Sequence, residues 1–130
     1  MTLGNTAEND LLNWYFTNDT APTRPTAWYV SLHTADPGDT GANELGSSGY
    51  TRQQVSNGFS TSTTGAVSNE AQIQWTNSSG GNWTQVTHFG VWSLSSAGTF
   101  YGGGSLTAAK TINDGDTATF AIGDLDITLD

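Results

Sequence analysis

His33 and His88 are the only side chains in this sequence whose ordinary titration falls near neutral pH. A histidine that works as a general base needs a carboxylate to orient it and a pocket that admits substrate. No acid lies within two residues of either one, and aromatic residues flank both: Trp28 and Tyr29 before His33, Phe89 and Trp92 after His88. Each is therefore read as a hydrogen-bonded structural histidine on a strand. As metal ligands they lack a spaced third ligand such as a His-Glu-x-x-His run or a cysteine pair. The chain has no cysteine at all, which removes disulfides and thiolate chemistry.

Carboxylates offer a second possibility. Asp36, Asp39 and Glu44 lie in one Gly-rich stretch and could contribute oxygen ligands to calcium, but their spacing is not that of an EF-hand and Pro37 interrupts it. Asp114 and Asp116 flank Gly115 in another turn. Aspartates in turns ordinarily bond their own backbone, the reading favoured for both groups. Serine and threonine are abundant, yet no Gly-x-Ser-x-Gly elbow occurs. Gly102-Gly103-Gly104-Ser105 is neither that elbow nor a phosphate loop, since no Gly-Lys-Ser/Thr follows. The expectation is no catalytic, cofactor or metal site, and a protein that is not an enzyme. A sugar site would need exposed indoles beside amides and carboxylates. Trp75, Trp83 and Trp92 are the candidates, with Trp83 in the loop-like Gly80-Gly81-Asn82-Trp83.

Composition narrows the partners. The net charge is −9, with only Arg24, Arg52 and Lys110 opposing the acids. A nucleic-acid binder needs lysine and arginine to displace phosphate counterions, so nucleic acid is not expected as a partner. Nor is a membrane, because no apolar stretch approaches the ~20 residues that span one. Thr2-Leu3-Gly4 after Met1 does not resemble a signal peptide, and none is expected. The Asn-x-Ser/Thr triplets at Asn18, Asn77 and Asn82 are accordingly read as chance matches. Charged residues make up only 12% of the chain and five tryptophans are present, which argues for a packed domain over a disordered one.

These residues must be positioned by strands. Trp28, Val30 and Leu32 alternate with Tyr29, Ser31 and His33, the period-2 pattern of a strand with two different faces, and Asp36-Pro37-Gly38 ends it. Further strands are expected at about 50–55, 64–68, 71–75, 84–94, 98–102, 105–112, 117–122 and 125–129, separated by Gly, Asn and Asp turns. Leu125, Ile127 and Leu129 are expected to face inward and Asp124, Asp126, Thr128 and Asp130 outward, with Ala118, Phe120 and Ile122 repeating the inward pattern. The fold class is all-β: an antiparallel β-sandwich, jelly-roll or immunoglobulin-like, with a short N-terminal α-helix. That helix is expected over residues 7–16, capped by Thr6, with Leu11, Trp14 and Tyr15 on one apolar face extended by Leu12 and Phe16. The face either packs on the sheet or docks on a neighbouring subunit. Residues 1–26, helix plus proline-bearing link, form one part and residues 27–130 a single sandwich domain. The loop over residues 35–49 is long, and is either mobile or pinned by a partner. Gly102-Gly103-Gly104 marks a bulge, a bend or a close approach to another chain.

Several segments in this order resemble a family of small tailed-phage virion structural proteins, described as head-decoration (cement) or tail-fibre-like. They are the N-terminal helix and proline link, Leu32-His33-Thr34-Ala35-Asp36-Pro37-Gly38, Gly49-Tyr50-Thr51-Arg52-Gln53 and Thr87-His88-Phe89-Gly90. The C-terminal part adds Tyr101-Gly102, Leu106-Thr107-Ala108, Lys110-Thr111-Ile112 and Gly115-Asp116. The resemblance implies a protein on the exterior of the phage particle, made in the host cytoplasm. Its first implication is a head-decoration protein, a homotrimer that grips the major capsid protein and turns its acidic surface outward. The alternative is a tail-fibre or minor tail protein that binds a host-surface receptor such as carbohydrate. Under either, the candidate interface residues are Leu11, Trp14, Tyr15, Phe16, Arg24, Arg52 and Trp83.

Overall fold

The computed structural model describes residues 1–129; the expected outward-facing Asp130 lies outside the described residues. Its two longest strands are neighbours in sequence, β6 (Val86–Trp92) and β7 (Phe100–Lys110), paired antiparallel. β7 joins the two stretches expected as separate strands, with the triple glycine inside it. On its far side β7 receives β1 (Thr2–Leu3), and β6 is bordered by β2 (Tyr29–His33) and then β3 (Gln53–Gln54). This five-stranded sheet has the order β1-β7-β6-β2-β3. The facing layer is divided into two antiparallel pairs: β4 (Ala66–Ser68) with β9 (Asp126–Thr128), and β5 (Ile73–Thr76) with β8 (Thr117–Phe120). The result is the expected all-β, sandwich-like body with one short helix, α1 (Asn5–Phe16).

The core follows from register. Val30 pairs with Val91 and Leu32 with Phe89, so all four side chains share one face. Ile73, Trp75, Ile112 and Leu125 close over them, and the whole group is buried. Trp75 and Phe89 both meet the ring of Phe120 edge-on, at centroid separations of 5.8 Å. Two buried asparagines stitch the second layer. Asn69 donates to the carbonyls of Ala71 and Ala121 and accepts from the Leu125 amide. Asn77 donates to Gly81 and Ile112 and accepts from Ser79. Asn77, the first residue of a glycosylation-like triplet, is therefore a buried pin.

Several expectations need correction. Thr6 does not cap the helix; Gly4 occupies that position and no side chain caps it. The helix starts early because β1 delivers Gly4 against β7, where its amide bonds the Tyr101 carbonyl at 2.9 Å. Leu129 and Ile122 do not face the core: they are 57% and 68% exposed. Leu129 lies past the last β4–β9 pair, Ala66 with Thr128, and Ile122 sits in a turn closed by the Asp124 amide on the Ala121 carbonyl. The triple glycine serves a close approach within this chain. A Cβ on Gly102 would stand 2.3 Å from the Thr2 carbonyl oxygen, so β1 can pair there only because the residue is glycine. Residues 2–3 of the expected N-terminal part thus belong to the main sheet.

Candidate functional site

The second face of β2 should be wet by its alternation, yet Ser31 and His33 are wholly buried. The long loop covers them. Its turn is closed by the Gly38 amide on the Asp36 carboxylate and by the Gly41 and Ala42 amides on the Pro37 carbonyl. The loop then runs back beside β2, with the Thr34 amide on the Asn43 carbonyl and the Leu45 amide on the Leu32 carbonyl. It is pinned by its own chain and needs no partner for that.

Beneath it lies a continuous polar chain. Trp92 Nε1 donates to Ser31 Oγ at 2.8 Å, and Ser31 Oγ lies 2.6 Å from His33 Nε2. His33 Nδ1 faces the Ala42 carbonyl at 2.7 Å. A carbonyl only accepts, so Nδ1 carries the proton, and Nε2 accepts from the serine hydroxyl. Every polar atom is satisfied with a neutral imidazole. Burial holds the His33 pKa below its ordinary value, outweighing the Ala42 hydrogen bond and the Glu44 charge that would raise it. Spacing of this kind would suit a nucleophile and its base. Here both residues are 0% exposed, so no substrate reaches them.

Arg52 and Glu44 close the cluster at the surface side. Arg52 Nε and Nη2 donate to the two Glu44 oxygens at 2.9 and 2.7 Å, a bidentate pair. Its Nη1 donates to the carbonyls of Leu94 and Ala97, and its guanidinium lies 3.6 Å from the centre of the Trp92 ring. Burial pushes the Glu44 pKa up, but the Arg52 hydrogen bonds and charge, with the Tyr50 hydroxyl, carry it below the ordinary value. The Tyr50 pKa is raised, first by burial and then by Glu44, against the hydrogen bond that its oxygen accepts from the Leu32 amide. Three segments of the family-like sequence, around His33, Arg52 and Gly90, thus converge on one buried clamp. Gly90 is required there: a Cβ would sit 2.7 Å from Ser31 Oγ and 2.8 Å from His33 Nε2.

The aspartates bond their own turns, Asp36 on the Gly38 amide and Asp116 on that of Asn113, while Asp114 accepts from Gly80. Among the described residues no group of three or more His, Cys, Asp or Glu could hold a metal ion, and no helix is long and apolar enough to cross a membrane. Trp75, Trp83 and Trp92, the candidate sugar platforms, are 1%, 4% and 8% exposed. Trp83 is buried edge-on against Tyr50 and donates to the Ser48 carbonyl, so its loop-like sequence does not present the ring. Arg52 is likewise committed inside the clamp.

The remaining interface candidates gather elsewhere. In α1 only Ala7 is buried and Leu11 is half-buried, which settles how much of the apolar face the chain itself uses. Leu12, Trp14, Tyr15 and Phe16 are 56%, 45%, 67% and 81% exposed. Consecutive ring centroids stand 4.5 and 6.4 Å apart, so the three aromatics form one contiguous tip. Beside the tip runs an open groove of about 710 Å³ between the helix, the proline link and the sheet. Leu11 and Arg24 line it, together with Trp28, Phe59, Tyr101 and Leu129. Trp28 meets Tyr101 edge-on at 4.8 Å and Phe59 at 6.3 Å. Burial and the nearby Asp10 carboxylate raise the Tyr101 pKa. Neither Trp28 nor Tyr101 stood out as an interface residue in the sequence, because the groove is made by elements far apart in the chain.

No curated protein matches this chain. The family model described as podophage GP4 fiber I protein gp80 matches residues 2–128, from β1 through β9. That match spans the helix, the clamp and both layers of the sandwich, and the chain therefore belongs to the podophage GP4 fiber I protein gp80 family, as a structural component of a tailed-phage virion.

Proposed function

We propose that this protein is a tail-fibre component that acts by occupying protein interfaces and not by catalysis, with its N-terminal arm as the docking element. The observation that carries the reading is the aromatic tip of α1, three rings that with Leu12 leave four large apolar side chains in water beside an apolar groove. Fully burying such side chains is worth about 1.5–3 kcal/mol each. A contiguous exposed patch of this kind marks an interaction site more often than single scattered residues do. The fibre family favours the tail over the capsid shell, so the head-decoration reading, with the major capsid protein as partner, gives way to the fibre reading. Sugar binding through Trp75, Trp83 or Trp92 is not part of the proposal, because those indoles are buried.

Gold-labelled antibody against this chain, viewed on intact parent virions, tests the location. Label on the fibres or tail supports the proposal. Label scattered over the head would overturn it in favour of decoration.

A further inference from the structure

We propose that the open side of the sandwich, between β7 and β8, takes up one extended polypeptide segment of another protein and holds it as an added strand. The inference goes beyond the docking arm. No residue of α1 or of the proline link lines this cleft, so it stands whichever element anchors the fibre.

Backbone pairing leaves the space. β1 covers β7 only at Gly102 and Gly103. On the other edge of β7, His88 pairs with Ser105 and the next pair is Val86 with Lys110, so residues 106–109 bulge out with no ladder partner among the described residues. β8 pairs with β5 alone, which leaves its second edge without a strand. Between the two lies a cleft of about 540 Å³. Residues 106–108 and 110–112 form one wall and residues 116–120 the other. Successive side chains of a strand point to opposite faces, so a cleft bordered by consecutive residues meets each strand along its edge, where the main-chain N–H and C=O groups lie. A free edge of this kind is a template for a further strand.

The side chains say what that strand must carry. On the two walls half-buried apolar residues, Leu106, Ala118 and Phe120, alternate with exposed threonines, Thr107, Thr117 and Thr119. Leu32, Trp75, Val86 and Ile112 of the core lie at the base. The occupant therefore has one apolar row directed at the base and one polar row directed at water, the period-2 pattern of an amphipathic strand. The unpaired stretch of β7 and the length of β8 both match a segment about 13 Å long at the rise of a strand. Lys110 faces two carboxylates in the lining, Asp116 and Asp124, on a chain of net charge −9, so basic flanks on the segment are complementary. A sugar or another compact ligand would leave the two rows of main-chain donors and acceptors largely to water. An extended backbone pairs with both.

The test is amide-resolved NMR on the full chain with a synthetic peptide, Lys-Thr-Val-Thr-Val-Thr-Lys, as the probe. In the free protein the amides of residues 106–109 should exchange rapidly with solvent. Saturating peptide should slow that exchange about tenfold or more and shift the resonances of both walls. The same peptide with its central amides N-methylated keeps the side chains, loses the donors, and should not bind. The double variant Thr107→Pro and Ala108→Pro removes two N–H groups that support no ladder, and should weaken binding of the intact peptide about tenfold. Circular dichroism checks that this variant stays folded. Raising salt should weaken the basic peptide further. No binding at millimolar peptide, equal binding of the N-methylated peptide, or shifts confined to the groove beside α1 overturns the inference. So does protection of residues 106–109 in the free protein that disappears on dilution, which would put a second copy in the slot.

Discussion

Replacing Arg52 by methionine removes the cation at the centre of the clamp and leaves the aliphatic stem largely in place. The Arg52 and Glu44 side chains are 7% and 25% exposed. Breaking a buried ion pair by removing one partner costs about 3–5 kcal/mol, because the surviving charge is stranded. A quarter of Glu44 already meets water, which places the expectation at the lower end. The carbonyls of Leu94 and Ala97 also lose their donor, but they belong to an exposed turn where water can replace it. The cation over Trp92 adds about 1 kcal/mol. The expected loss is therefore about 3 kcal/mol, a large share of the roughly 5–15 kcal/mol that holds a domain folded. Urea unfolding followed by tryptophan fluorescence reads it as a midpoint shift of about 1–3 M for a typical small-protein slope. Glu44→Gln alone and the double variant complete a cycle, with a coupling of about 1–3 kcal/mol expected. An Arg52→Met loss under about 1 kcal/mol, the scale of a surface pair, would refute the clamp as the device that holds the loop down.

Two further stability outcomes follow from the same cluster. Gly90→Ala places a methyl 2.7–2.9 Å from Ser31 Oγ, His33 Nε2 and the Phe100 ring and should cost about 2–3 kcal/mol, whereas Gly81→Ala, with nothing within 4 Å, should change the midpoint little. For pH, the folded His33 pKa lies below 6.5. The unfolded chain therefore takes up that proton first, so this part of the stability is complete above pH 6.5 and is lost as pH falls below it. Glu44, also lowered in the fold, adds a second loss below its unfolded value of 4.5. Melting temperature measured from neutral to acid pH should fall in that order, and His33→Gln should flatten the first step. An unchanged first step in that variant would assign it to another group.

Much of this protein is legible in its residues. Alternation places the strands from β2 onward to within a few residues, with β7 read as two and the two-residue β1 missed, and the Asp36-Pro37-Gly38 and Asn113-to-Asp116 turns bound them because proline, glycine and aspartate act through local backbone geometry. The helix and its apolar face are likewise local. Strand neighbours and coverage are not. Nothing near Ser31 or His33 in sequence says that residues 35–49 fold back over them, that Arg52 and Glu44 lock the cover, or that Gly90 leaves the space. Alternation alone leaves that face to solvent. Trp83 sits in a loop-like context and is buried; Leu129 continues an inward pattern and is exposed. In both cases a segment distant in the chain decides the outcome: Tyr50 for Trp83 and, for Leu129, the last β4–β9 pair of Ala66 with Thr128, past which it lies. Local conformation and composition are readable from the residues alone, because those depend on φ, ψ and side-chain type over a few positions. Burial, the sealed Ser31–His33 pair and the groove beside the aromatic tip were decided by tertiary structure, because each depends on surfaces that only the folded chain brings within van der Waals distance.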